Sequence, residues 1–150
     1  YTGEDTLSLH DALPISAMKA AERLAQEGIS AAVVNARFAK PLDTELILKT
    51  AKNVRCLVTV EEGCKMGGFG SAVLETLSDA GLMLRTKVLG LPDWYIEQGP
   101  QDLLRERYGL TADGIYNSVK QLFGAGIVAD DAARLASLVG SLPHGDEQGS

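Results

Sequence analysis

A chain of 150 residues with 45% apolar and 23% charged side chains has the composition of one globular domain, long enough to bury a core. Its formal net charge of −6 excludes a strongly basic nucleic-acid surface, because neutralising phosphates requires clustered Lys and Arg. No apolar run is long enough to span a bilayer, and the start lacks a basic stretch leading into an apolar one and a small-residue cleavage site; the expected location is cytoplasmic, with no membrane partner.

Two cysteines, Cys56 and Cys64, are too few for a disulfide framework and lack the partner ligands of a zinc site, so both are read as free thiols, Cys56 in a strand core and Cys64 in a loop. The opening residues are anomalous. Thr6–Ile15, TLSLHDALPI, is what a common sequencing-adapter string encodes, and residues 1–15 are expected to be an artefactual or non-native segment. Ser8, His10 and Asp11 fall within four consecutive positions. A catalytic triad is a spatial arrangement on a scaffold and not a local word, so His10 is assigned no role.

From Ala17 the character changes. Ala17, Ala20, Ala21, Leu24 and Ala25 recur at helical spacing, and Gly28 is placed as a stop. Ser30–Phe38 then reads as a short strand buried on both faces. Lys40-Pro41-Leu42-Asp43 is a breaker followed by an N-cap, with Asp43 accepting the free amides of a helix from Thr44 that turns Leu46, Ile47 and Ala51 inward.

Cys56–Val60 is an apolar, β-branched strand, and Glu61 and Glu62 stand at its carboxyl end, where open parallel sheets collect ligands and catalytic groups. Two adjacent carboxylates can do acid–base work if burial splits their pKa values; the simpler expectation is a solvated or hydrogen-bonded loop pair. Gly67, Gly68 and Gly70 lead into a helix over Ser71–Leu82 with Val73, Leu74 and Leu77 on its apolar face. The dinucleotide fingerprint is broken by Val73, and no Gly-Lys-Ser/Thr follows for a P-loop. A helix N-terminus can attract an anion; close packing of helix on strand accounts for the glycines equally well and is the favoured expectation.

Arg85–Leu91 is a further strand, running into Pro92-Asp93-Trp94-Tyr95, a turn whose aromatics suit a core edge or an interface. Pro100 opens a helix closed by Gly109, and Thr111 caps another bearing Ile115, Val119, Leu122 and Phe123 on one face. Residues 124–150 are expected to be a tail, with a weak helix over Val128–Val139.

In order and spacing, Arg37-Phe38-Ala39-Lys40-Pro41-Leu42-Asp43, Val58-Thr59-Val60-Glu61-Glu62, Gly67-Gly68-Phe69-Gly70-Ser71, Gly90-Leu91-Pro92-Asp93 and Gln98-Gly99 resemble the C-terminal domain of the 1-deoxy-D-xylulose-5-phosphate synthases, thiamine-diphosphate enzymes of the transketolase group. The resemblance covers about Ser16 to Phe123, which delimits the expected domain. It implies an α/β fold, a three-layer α/β/α sandwich on a mixed, mostly parallel sheet. It further implies a full-length homodimeric enzyme that condenses pyruvate with glyceraldehyde 3-phosphate and releases CO2, using thiamine diphosphate and Mg2+ held mainly by upstream domains. The C-terminal domain would serve subunit architecture and bind no cofactor itself. Glu61, Glu62, Gly67, Gly68, Gly70, Asp93 and Trp94 are the candidate interface or active-site-edge residues; no catalytic, cofactor-binding or metal-ligating residue is assigned.

The family's first long strand, normally just before the helix at Ala17, is replaced here by the adapter-like residues. Its loss would leave two neighbouring strands with orphaned backbone groups at about 1–3 kcal/mol each, against a net stability of about 5–15 kcal/mol, so the chain is expected to be unstable unless Thr6–Leu13 supplies a makeshift strand. Two other readings share the residues: a fragment of a transketolase or 2-oxoacid dehydrogenase β-subunit, and a free-standing α/β interaction module using Trp94, Tyr95 and the glycine-loop edge.

Overall fold

The computed structural model describes residues 12–36, 41–94, 96, 98–124 and 134–140, with only the backbone described at Ala12 and over 134–140. In chain order the elements are α1 (Ala12–Gln26), β1 (Ser30–Ala36), α2 (Thr44–Ala51), β2 (Cys56–Cys64), α3 (Phe69–Asp79), β3 (Arg85–Leu91), α4 (Gln101–Arg107), α5 (Ala112–Gly124) and β4 (Arg134–Gly140). The strands form one sheet in the order β1-β4-β2-β3, with every pairing parallel. An antiparallel component of the expected mixed sheet is not among the described residues.

Parallel strands need crossover connections that cover both faces, and the core divides accordingly. On one face α1 and α5 bury Leu13, Ala17, Ala20, Leu24, Ile115 and Val119 against Cys56, Val58 and Val60. On the other, α2 and α3 bury Ile47, Ala51, Phe69, Val73 and Leu77 against Leu57. This is the expected three-layer sandwich. Alternate residues of β2 point to opposite faces, and both faces are covered, so Cys56–Glu61 is buried throughout.

Several boundaries and faces differ from the sequence reading. Helix α1 begins at Ala12, not Ala17, and takes Leu13 into the core; Pro14 is tolerated because first-turn amides have no intrahelical partner. Strand β1 is half-buried where burial on both faces was expected, since it pairs with β4 alone among the described residues. Leu46 and Leu74, expected inward, are exposed at 39% and 43%. Each stands beside the buried stripe of its helix, outside the face set by Ile47 and Ala51 or by Val73 and Leu77. The Asp43 cap forms as expected, its carboxylate accepting from the Leu46 amide at 3.0 Å.

The largest difference lies near the chain's end. Where a weak helix over Val128–Val139 was expected, residues 134–140 are a strand, inserted between β1 and β2 with Ser30–Ala36 opposite Arg134–Gly140 and Cys56–Glu61 opposite Leu135–Gly140. The two strands expected to face an empty position are therefore paired through β4. Thr6–Leu13 is not the makeshift strand at its described end, since Ala12 and Leu13 are helical, and residues 6–11 lie outside the described residues.

A polar clasp joins α1 to α5. Glu27 accepts from the Tyr116 hydroxyl and the Lys120 ammonium, and Arg23 pairs with Asp113 and stacks 4.0 Å from the Tyr116 ring centroid. Lys120, and then Tyr116, hold the Glu27 carboxyl below its ordinary 4.5, while the same contact raises Lys120. A lowered carboxyl stabilises the fold above its unfolded pKa and loses that contribution as pH falls through the folded one. A shallow decline in stability below about pH 4.5 is expected from this clasp, and Glu27→Gln should flatten that part of a urea-midpoint titration between pH 5 and 3.

Candidate functional site

The carboxyl ends of β2 and β3 carry the residues that the sequence singled out. Strand β2 runs past Val60 to Cys64 with a break in its register to β3 between those two residues. Glu61 and Glu62 are therefore strand residues and not loop residues, and alternation sends them to different partners.

Glu61 is 5% exposed, and its carboxylate accepts from the Phe69 amide at 2.8 Å and the Gly70 amide at 3.0 Å. These are first-turn amides of α3, the groups that lack partners within a helix. Gly68, at the N-cap, has no side chain to serve them, and Glu61 does so from the neighbouring strand. The carboxylate thus occupies the position in which a helix N-terminus would hold an external anion.

The glycines are fitted to this arrangement. A Cβ at Gly68 would stand 2.2 Å from the Cys64 carbonyl oxygen and 2.3 Å from Glu61 Oε2; one at Gly70 would meet Val88 Cγ1 at 2.4 Å and Thr59 Oγ1 at 2.7 Å. Gly67 has φ +71, the left-handed region that glycine supplies without strain. Its amide donates to Ser71 Oγ at 3.1 Å, and that hydroxyl donates to the Lys65 carbonyl at 2.6 Å. Helix-on-strand packing, the favoured expectation, accounts for Gly68 and Gly70.

Glu62 turns to α4, where Arg105 Nε donates to its Oε1; both side chains are mostly buried, and Arg105 also reaches Asp102 at 3.5 Å. The pair pins α4 across the end of β2. Removing one partner leaves a half-buried charge, so Arg105→Ala is expected to lower stability by about 1–3 kcal/mol in urea denaturation. Glu62→Gln combined with it should cost less than the sum of the two single changes.

Asp93 lies in the turn after β3, and its Oδ1 accepts from the Cys64 thiol at 3.7 Å. Trp94 is 69% exposed, so it covers no core edge; Tyr95 lies outside the described residues. The two thiols differ in chemistry. Burial pushes Cys56 up to about 11, against a smaller opposing pull from Arg85, whereas Cys64 is half-buried at the strand end. Because the thiolate is the reactive form, iodoacetamide at pH 8 is expected to label Cys64 alone in the native chain and both cysteines after unfolding, read by peptide mass.

The structure brings Glu61, Gly68 and Gly70 together around one helix end and places Glu62 and Asp93 on separate contacts. Sequence reasoning missed Arg105, Ser71 and Gly90; a Cβ at Gly90 would stand 3.0 Å from Glu61 Cγ. Among the described residues no group of three His, Cys, Asp or Glu side chains could hold a metal. With the α3 amides taken by Glu61, these residues do not fit a diphosphate or its metal ion. No described helix is long and apolar enough to cross a membrane.

The family model of the transketolase C-terminal domain matches residues 15–115. The chain belongs to the transketolase C-terminal domain family. Curated relatives of this transketolase C-terminal domain are 1-deoxy-D-xylulose-5-phosphate synthases: that of Thermosynechococcus vestitus is 48% identical over 124 residues, 82% of this chain and 19% of its own length. That of Syntrophotalea carbinolica is 54% identical over 104 residues, 69% of this chain and 16% of its own length. The chain thus spans about a fifth of the length of the first of these. A solved split-gene transketolase, described as an inactive β4 tetramer, superposes with a TM-score of 0.67 at 38% identity, covering 75% of this chain and 36% of that one. The resemblance drawn from the sequence words and the three-layer fold both agree with these matches.

Proposed function

We propose that this chain is the C-terminal domain of a 1-deoxy-D-xylulose-5-phosphate synthase, with residues 1–15 non-native and its sheet completed by Arg134–Gly140 beyond the expected 16–123 span, and that it serves subunit architecture and dimer contacts. The parent enzyme is a cytoplasmic homodimer that joins pyruvate to glyceraldehyde 3-phosphate with loss of CO2, using thiamine diphosphate and Mg2+ bound by upstream domains. The observation that carries the architectural role is the state of the two acids: Glu61 is held by two backbone amides and Glu62 by Arg105, so neither stands uncommitted at the sheet edge. Glu61, Gly67, Gly68 and Gly70 shape this edge from within, and Asp93 and Trp94 present its outer surface to the neighbouring domain or subunit.

The test is a graft. Residues 16–150, placed in register in the Thermosynechococcus vestitus relative in place of its matching region, should give thiamine-diphosphate- and Mg2+-dependent formation of 1-deoxy-D-xylulose 5-phosphate. The 150-residue chain alone should turn over nothing and bind no thiamine diphosphate by calorimetry. A folded graft that forms no product, or cofactor binding by the chain alone, would overturn the reading. The likeness to the split-gene transketolase favours transketolase as the second reading, and ketol transfer between sugar phosphates by a graft into a transketolase scaffold, with none in the synthase scaffold, would select it.

A further inference from the structure

Strand β3 ends at Leu91, and the chain crosses the carboxyl end of the sheet before entering α5. Over residues 98–108 it buries nothing: 98–103 are exposed, with Leu103 at 59%, and Leu104, Arg105 and Tyr108 are half-buried. Helix α4 lies in this stretch with no buried residue, and its N-cap, Pro100, makes no side-chain bond to the first-turn amides. A helix beside a sheet is ordinarily held by an apolar stripe, and one of seven residues is too short to persist alone in water. Helix α4 is therefore helical only while something docks it.

Among the described residues one polar side-chain contact joins this stretch to another element, the Arg105–Glu62 pair at the carboxyl end of β2. The other ion pair of Arg105, to Asp102, lies within α4. Glycines flank the stretch. A Cβ at Gly99 would meet nothing within 4 Å, so the entry is open. Gly109 has φ +72, and a Cβ at Gly114 would stand 2.3 Å from the Gly109 carbonyl oxygen, so the exit is fixed to α5 where Leu110 enters the core.

We propose that residues 98–108 are a strap over the carboxyl end of β2, that it opens as a unit about Gly109 while the sheet and the other helices stay folded, and that the Glu62–Arg105 pair is its latch. Opening exposes little apolar surface, because Leu104 and Tyr108 are the only half-buried apolar or aromatic side chains in the stretch, so it costs far less than unfolding the core. What opening costs is the pair, whose mostly buried charges lose each other and regain water. The two acids of β2 thereby differ in kind. Glu61 is buried under α3 and stays committed to the Phe69 and Gly70 amides, whereas Glu62 is a releasable carboxylate at the edge where parallel sheets collect ligands.

Amide hydrogen exchange on the full 150-residue chain tests the strap. The Leu104 and Tyr108 amides, bonded to the Pro100 and Leu104 carbonyls, should exchange at least a hundredfold faster than the Ile115 and Val119 amides of α5, at a rate that low urea does not change. Val119→Ala weakens the strapped and open forms alike, so it should speed α5 exchange at least tenfold and leave α4 exchange within twofold. Arg105→Gln should speed α4 exchange at least tenfold and raise trypsin cleavage at Arg107 with it. Glu62→Arg alone should do the same, and combined with Arg105→Glu it should return α4 exchange to within threefold of the unaltered chain. Equal exchange of α4 and α5, rising together with urea in the unaltered chain or in Val119→Ala, would overturn the strap; the urea series needs no variant to fold. Unchanged α4 exchange in Arg105→Gln would overturn the latch.

Discussion

Glu61→Ala is expected to lower the free energy of unfolding by about 2–7 kcal/mol, the sum of two buried amides deprived of an acceptor at about 1–3 kcal/mol each and a carboxylate lost from a helix N-terminus at about 0.3–1 kcal/mol. The substitution leaves the Phe69 and Gly70 amides without their carboxylate partner in a setting where Glu61 is 5% exposed. It also opens space beside Gly68 and Gly90, whose missing side chains were fitted to the glutamate. Against a net stability of about 5–15 kcal/mol, a change of this size should move the urea midpoint without altering the slope. Glu61→Gln keeps the shape and one acceptor oxygen but turns an amide donor toward a backbone donor, so a smaller loss, about 1–2 kcal/mol, is expected. If Glu61→Ala costs less than about 0.5 kcal/mol, typical of a surface site, then water replaces the carboxylate at the helix end and the site is open to external anions after all.

That arrangement was partly legible in the sequence because its pieces are contiguous. An apolar β-branched run, two acids at its carboxyl end, glycines and a helical period follow one another within Cys56–Leu77, and local rules act over such distances. The words showed that something must approach closely at Gly68 and Gly70. They did not show that the approaching group was Glu61, because the hydrogen bond forms only after α3 folds back on β2. Arg105 was invisible for the same reason: its sequence neighbourhood offers Asp102 as a local partner, and the pairing with Glu62 joins residues from different elements.

Strand β4 was misread for a different reason. In RLASLVG the apolar residues Leu135, Leu138 and Val139 stand at i, i+3 and i+4, which fits a helical stripe, and a run this short cannot separate strand from helix by periodicity. What decides is the sheet. Two parallel neighbours offer rows of backbone groups whose burial without partners is costly, and that tertiary demand outweighs a weak local preference. The same demand explains why the expected empty strand position is filled.

Leu138→Pro should therefore be among the most damaging substitutions in the chain. Residue 138 stands opposite Val34 of β1 and Thr59 of β2, so β4 is flanked on both sides there, and proline in the middle of a sheet removes a ladder donor and strains the extended backbone around it. A loss of about 3 kcal/mol or more is expected by analogy with proline in a helix interior. The loss should be larger than for an edge strand, because β1 reaches the rest of the sheet only through β4 among the described residues. Urea denaturation should show a midpoint reduced by half or a transition that loses its cooperativity, and amide exchange should place the first loss of protection in β1, with β2 and β3 retaining theirs through their own pairing. Leu138→Val changes the side chain but keeps the amide and favours strand geometry, so it should stay within about 1 kcal/mol of the parent; the gap between the two variants then isolates the backbone contribution. Protection of β1 that survives Leu138→Pro would mean that α1 alone, through Ala17, Ala20 and Leu24, fixes β1 to the core, and that β4 fills the cleft without holding the sheet together.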